Sequence, residues 1–196
     1  LQESVYQFGE SRNSKKVTDT VYLEHFAHFH HVEIGFSAPI TYTPRFTLEY
    51  DYASGDSRDN DGQNGRFDSL FGARRFDYGP TGIYGPFKRS NLNSIGLRIS
   101  AMPSRFTEFM SSYRVFWRAS KSDAWVASGI SDVANVAPRF IGQQLEVRMR
   151  WEVIPRALKL ELGSAYLRAG QFGRIIEPET FNKNIFYGYA QLSYLY

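Results

Sequence analysis

Residues Gln144–Val153 alternate without a break: Leu145, Val147, Met149, Trp151 and Val153 on one side, Gln144, Glu146, Arg148, Arg150 and Glu152 on the other. A period of two is that of a β-strand, whose successive side chains point to opposite faces. The pattern recurs along the chain. In Arg45–Ala53, Phe46, Leu48, Tyr50 and Tyr52 oppose Arg45, Thr47, Glu49 and Asp51. In Ser94–Ala101, Ile95, Leu97, Ile99 and Ala101 oppose Ser94, Arg98 and Ser100. Tyr113, Val115 and Trp117 oppose Ser112, Arg114 and Arg118; Leu158, Leu160, Leu162 and Tyr166 oppose Lys159 and Glu161. The run Thr20–Phe36 reads as a strand with room for a bulge, and its phase stays open.

The chain ends on one more such run. Phe186, Ala190, Leu192, Tyr194 and Tyr196 share a face, and no polar tail follows. A raw apolar strand end frays or aggregates in water, whereas the closing strand of an outer-membrane barrel ends on an aromatic residue at the interface. Leu192, Tyr194 and Tyr196 are therefore the expected membrane-assembly signal. If Tyr196 stands at the periplasmic side, the links Ser37–Pro44, Met102–Thr107 and Pro155–Ala157 face the periplasm. Gly9–Asp19, Ser54–Asn91, Ser120–Ile141 and Ala169–Asn184 then face outward. Every periplasmic link is short and every outward one longer, which is the asymmetry of outer-membrane barrels.

Composition permits this reading. No stretch is long and apolar enough for a transmembrane helix, but a spanning strand needs only about 9–11 residues with every second one apolar. Tyr 13 and Phe 16 could furnish interfacial girdles or equally a soluble sandwich core. The absence of cysteine removes disulfides, thiolate metal sites and thiol nucleophiles. A net charge of +3 is too small to argue for nucleic acid, and no basic helix or metal-finger spacing accompanies it.

The segment Ser54–Asn91 is the least strand-like. Its Asp/Asn/Gly run lacks the ligand order of a calcium loop and reads as a solvated turn. Its glycines do not follow a strand into a helix, so it is no phosphate loop. Here Glu49-Tyr-Asp-Tyr-Ala-Ser-Gly-Asp56, Arg66-Phe-Asp-Ser-Leu-Phe-Gly72 and Gly79-Pro-Thr-Gly82 resemble the alginate-export family of outer-membrane proteins. The resemblance runs from this segment to the terminal strand and implies a fragment, the C-terminal part of a monomeric barrel of eighteen antiparallel strands. It also implies an electropositive lumen that passes a polyuronate from periplasm to surface, with arginines at a constriction and loops as lids.

The expected fold is thus all-β, an antiparallel up-and-down transmembrane barrel. Residues 1–196 form one domain of about eight strands, truncated at the start, with 54–91 as an extracellular or pore-folded loop. The long, charged inward set argues for a wide barrel over a narrow closed one of eight strands. Substrate-path candidates are Arg74, Arg75, Arg98, Arg114, Arg118, Arg148, Arg150, Arg168 and Lys159, with Glu49, Asp51, Glu146, Glu152 and Glu161 as lumen acidic partners. Such charges either pair with one another or form an anion track, for which arginine's planar fork suits carboxylates. Arg74 and Arg75 belong to a constriction if their segment enters the pore, and otherwise are surface charge facing lipopolysaccharide phosphates.

Glu49 and Asp51, two apart on one face, have a spacing compatible with glycoside chemistry, but a charged lumen produces such pairs routinely. Among His25, His28, His30 and His31, only His28 and His30 share a face for chelation, and no further ligand completes a site. No enzyme activity, metal or cofactor is expected. The function expected is export of an anionic polysaccharide from a Gram-negative outer membrane. The alternatives are an uptake porin for small anions and a non-transporting barrel, either a lipid-modifying enzyme or an adhesion scaffold. Expected partners are the polysaccharide, outer-membrane lipid, lipopolysaccharide and the barrel-assembly machinery.

Overall fold

The computed structural model describes residues 1–12, 20–58, 61–69 and 78–194. Eight long strands follow one another in space as in sequence: β1 (Gln2–Arg12), β2 (Tyr22–Ser37), β3 (Arg45–Ala53), β5 (Leu92–Ser104), β6 (Thr107–Trp117), β7 (Phe140–Ile154), β8 (Leu158–Ala169) and β9 (Ile185–Tyr194). Each pairs antiparallel with the next. The short β4 (Gln63–Asn64) lies within the long segment after β3 and runs parallel to β2. Two helical turns, α1 (Gln171–Ile176) and α2 (Pro178–Phe181), precede β9. Among the described residues β1 and β9 do not pair, so the sheet is open.

The short connections are residues 38–44, 105–106 and 155–157, all at one end of the sheet. Positive φ at Tyr42, Thr43 and Arg156 tightens two of them. The segments 54–91, 118–139 and 170–184 gather at the other end. The parity expected from sequence therefore holds for these six connections, because each strand reverses direction in turn; the link expected at Gly9–Asp19 lies largely outside the described residues.

The two faces differ as the alternation requires. Leu48, Leu97, Val147 and Leu162 stand exposed on the outer face, while Thr47, Glu49, Ser94, Arg114 and Glu146 are buried on the inner one. The outer face carries Phe46, Phe109, Trp151 and Tyr194 near the short-turn end, and Tyr52, Trp117, Tyr166 and Phe186 near the other.

β2 resolves the phase left open by sequence. Its pairing with β1 and β3 runs without a bulge, so the irregularity allowed for there is absent. His25, Ala27, Phe29 and His31 lie inward, with Phe26, His28, His30 and Ile34 outward. The register shifts fall elsewhere, at Ala101/Ser104, Phe116/Trp117 and Glu152/Ile154.

An apolar core lies against the inner face at the long-connection end. Phe29, Leu92, Phe116, Ile141 and Leu167 from the strands meet Phe67, Phe87, Trp125, Phe172 and Phe181 from the connections. Phe87 stacks on Phe116 with ring centroids 3.6 Å apart. The long segment after β3 thus folds over the inner face. It reaches both edge strands: Gln7 of β1 donates to the Asp68 carbonyl at 2.6 Å, and Thr81 meets the Tyr187 hydroxyl of β9 at 2.7 Å.

Candidate functional site

Below that core the inner face is lined by charge. Arg114 rises from β6 and crosses β5 where Gly96 leaves room; a Cβ there would stand 3.1 Å from the Arg114 Nε. Its guanidinium then reaches β3. One nitrogen pairs with Asp51, the other with Glu49, and Ser94 Oγ accepts at 3.0 Å. Glu49 is shared with Arg98, and Asp51 with His31 at 2.7 Å. The Tyr78 ring lies 5.3 Å from the same guanidinium. Glu49 and Asp51 are almost fully buried, and each has its charge matched by these neighbours. Both carboxylates whose spacing was noted in the sequence are thus bound to the same arginine.

A second lattice lies toward the short-turn end. Arg150 donates from Nε to Glu161 at 2.6 Å, with Glu108 at 3.7 Å. Tyr189 donates to the other Glu161 oxygen at 2.7 Å. The Tyr189 ring lies over Gly163, where an added Cβ would meet it at 2.4 Å. An aromatic ring covering a strand glycine in this way keeps the wall continuous. Gly163→Val is therefore expected to lower unfolding stability by about 1–3 kcal/mol through overpacking. Tyr189→Phe, which removes only the hydroxyl, costs about 1 kcal/mol. Urea unfolding of the two variants in lipid vesicles checks the order, and an equal or smaller loss for the valine contradicts it.

Between the lattices a cleft of about 280 Å³ opens on the inner face. Arg98, Arg114, Arg148 and Arg150 line it, against Glu49 and Glu146. Tyr78 and Gly79 of the long segment form its roof. Gln144 holds the roof in place: its Nε2 donates to the Tyr78 carbonyl at 2.9 Å, and its Oε1 accepts from the Tyr84 hydroxyl at 2.7 Å. Burial, with the Glu146 charge adding to it, pushes the Tyr84 phenol up, so the donor stays protonated.

Among the described residues Arg148 makes no ion pair within 4 Å, and its Nε has no hydrogen-bond partner. It is half-buried and points into the cleft. Arg98, Arg114 and Arg150 are each held by carboxylates; Arg148 differs from them in this.

The structure moves two path candidates away from this cleft. Arg118 ends fully buried in the core of the long connections. Its guanidinium donates to the carbonyls of Lys121 at 2.8 Å and Asp123 at 3.0 Å, with Asp132 at 3.8 Å and the Phe172 ring 3.9 Å below. Alternation gives the side of the sheet but not what covers it, and here a connection covers it. Arg168 falls on the outer face, exposed in the same parity as Tyr166. Lys159 and Glu152 oppose each other on the inner face near the short turns. Leu192 and Tyr194 stand exposed on the outer face. Arg74, Arg75 and Tyr196 lie outside the described residues.

The histidines divide. His28 and His30 meet on the outer face with Nδ1 and Nε2 3.1 Å apart, beside Tyr52 and Ser4. Among the described residues no three His, Cys, Asp or Glu gather as a metal would require. Sequence reasoning missed Gln144, Tyr84, Tyr189 and Asn91. Gln144 and Tyr189 sit in the inward register of recognised strands and could have been read there. Asn91 could not: it is fully buried, adopts φ 45°, and its amide clamps the Ser120 N–H at 2.6 Å and the Ala124 carbonyl at 2.9 Å.

No curated protein matches the chain. A family model described as Alginate export matches residues 2–186. That match spans β1 to β8, the roof segment and the charged cleft, and on it the chain belongs to the alginate export family.

Proposed function

We propose that this sheet is part of the wall of an outer-membrane channel that exports an anionic polysaccharide of the polyuronate class, with the inner cleft on its path. Arg148 carries the reading: among the described residues it makes no ion pair within 4 Å, while Arg98, Arg114 and Arg150 are each bound to carboxylates. The paired arginines make a rigid, charge-matched wall, and the unpaired one offers a polyuronate carboxylate a fork-shaped partner. A single weak station suits conduction better than a tight site, because the polymer must also leave.

The outer face supports the membrane. Leu48, Leu97, Val147 and Leu162 are exposed over many strands, far beyond the isolated apolar patches of soluble domains. Two aromatic rows bracket them, as at the two interfaces of a bilayer. Unpaired edges are costly in hydrocarbon, so β1 and β9 must find strand partners in a bilayer, and the long, charged inner face favours a wider monomeric barrel over closure of these eight strands. Outer-membrane lipid surrounds it, and the barrel-assembly machinery inserts it, with Leu192, Tyr194 and Tyr196 as the assembly signal. Residues 1–196 act as one domain, and Tyr78 and Gly79, which roof the cleft, favour the pore-folded over the extracellular reading of the 54–91 loop.

Single-channel recording of the full-length protein tests the proposal. Anion selectivity is expected, with block by polyuronate polymer at concentrations where monomeric uronate has little effect. Cation selectivity, or an equal response to monomer, rejects export in favour of a small-solute porin.

A further inference from the structure

On the outer face, where the strands give way to the long connections, there is a notch of about 480 Å³. Leu145 forms its floor, and Gln143, Tyr166, Arg168, Arg174 and Asn184 stand around it. Three elements supply these groups. Arg168 ends the outward row of β8, which reads Leu158, Leu160, Leu162, Ser164, Tyr166, Arg168 from one end to the other. Arg174 comes from α1, and Asn184 immediately precedes β9. Among the described residues neither arginine has a carboxylate within 4 Å. Asn184 Nδ2 donates to the Tyr166 hydroxyl at 2.6 Å. The phenol thereby accepts one bond and keeps its own proton for a ligand.

We infer that this notch binds the phosphate of a phosphorylated glycolipid of the lipid A class, with its acyl chains lying down the outer face. Two unpaired guanidinium groups and a phenolic donor match a phosphate dianion. The apolar surface begins directly beneath them at Leu145 and continues through Val147. A soluble anion gains nothing from that surface, whereas an amphiphile satisfies both halves at once. The notch lies at the end that carries the long connections. This inference rests on the outer-membrane orientation proposed above, which turns that end to the cell surface and its glycolipid leaflet.

The full-length protein in detergent micelles, titrated with bisphosphorylated lipid A and followed by native mass spectrometry, tests it. Arg168→Ala and Arg174→Ala are each expected to weaken binding about tenfold, the size of one charge-assisted hydrogen bond. Lipid A stripped of phosphate should bind the unaltered protein as poorly as bisphosphorylated lipid A binds the double variant. Equal binding of intact lipid A to the double variant overturns the inference, as does undiminished binding of the stripped lipid. Competition by inorganic phosphate at matching concentration shows a free-anion site and overturns it too. Polyuronate block recorded on the same double variant should be unchanged, which separates failure of this site from failure of the channel reading.

Discussion

Replacing Arg114 with alanine should cost about 3–5 kcal/mol of unfolding stability, the penalty for leaving buried charges without their partner. The size follows from what remains. Glu49 and Asp51 are almost entirely buried, and Arg114 is the cation they share. Arg98 still pairs with Glu49, and His31 still touches Asp51, but Ser94 and the Gly96 gap offer no replacement charge. Urea unfolding in lipid vesicles measures the loss. The same substitution in a Glu49→Gln/Asp51→Asn background should cost less, because a neutral amide is cheaper to bury than an unpaired carboxylate. Arg98→Ala should cost less again, since that side chain is partly exposed and water screens what it leaves. If Arg114→Ala is as mild as Arg98→Ala, the lattice does not hold the wall together.

What the sequence made legible divides along physical lines. Strand existence, face and order were readable, because a period of two survives burial on one side and exposure on the other, as in Gln144–Val153. The sorting of connections by length was readable because each strand reverses the chain. Charge pairing was half readable. Arg114 and Glu49 were both placed inward, but their contact across β5 depends on Gly96, and no strand taken alone reports a gap in its neighbour. Arg118 was misplaced for a related reason: at the end of β6 its inward direction leads into a core made by residues distant in sequence, Ala137 and Phe172 among them. The direction of Arg168 stayed open in the sequence because it ends its strand. Counting by twos from Glu161 through Leu167 puts it outward, and the structure agrees with the count. The cleft's roof was not readable at all, because Tyr78 and Tyr84 reach Gln144 through an irregular segment with no periodicity to project.

Arg148→Glu should reduce or reverse anion preference in single-channel recordings and abolish polyuronate block, while Arg148→Gln weakens block about tenfold, the loss of one charge-assisted contact. The prediction depends on the contrast with Arg150, two residues along the same face. Arg150 is fastened to Glu161 and Glu108, so Arg150→Gln removes a wall contact and should show mainly as lost stability. Among the described residues Arg148 makes no such bond, and Arg148→Gln should lower the unfolding midpoint less than Arg150→Gln, losing only its longer-range attraction to buried Glu146. Glutamate at the same place adds a like charge beside Glu146 in a narrow cleft, where opposed charges on the lining can no longer balance. Arg148→Lys should keep selectivity but lose part of the block, because an ammonium supplies the charge without the planar fork. Selectivity unchanged in Arg148→Glu, or block lost equally in Arg148→Gln and Arg150→Gln, would move the anion path away from this cleft. A lysine variant indistinguishable from arginine would instead reduce the role of Arg148 to charge alone.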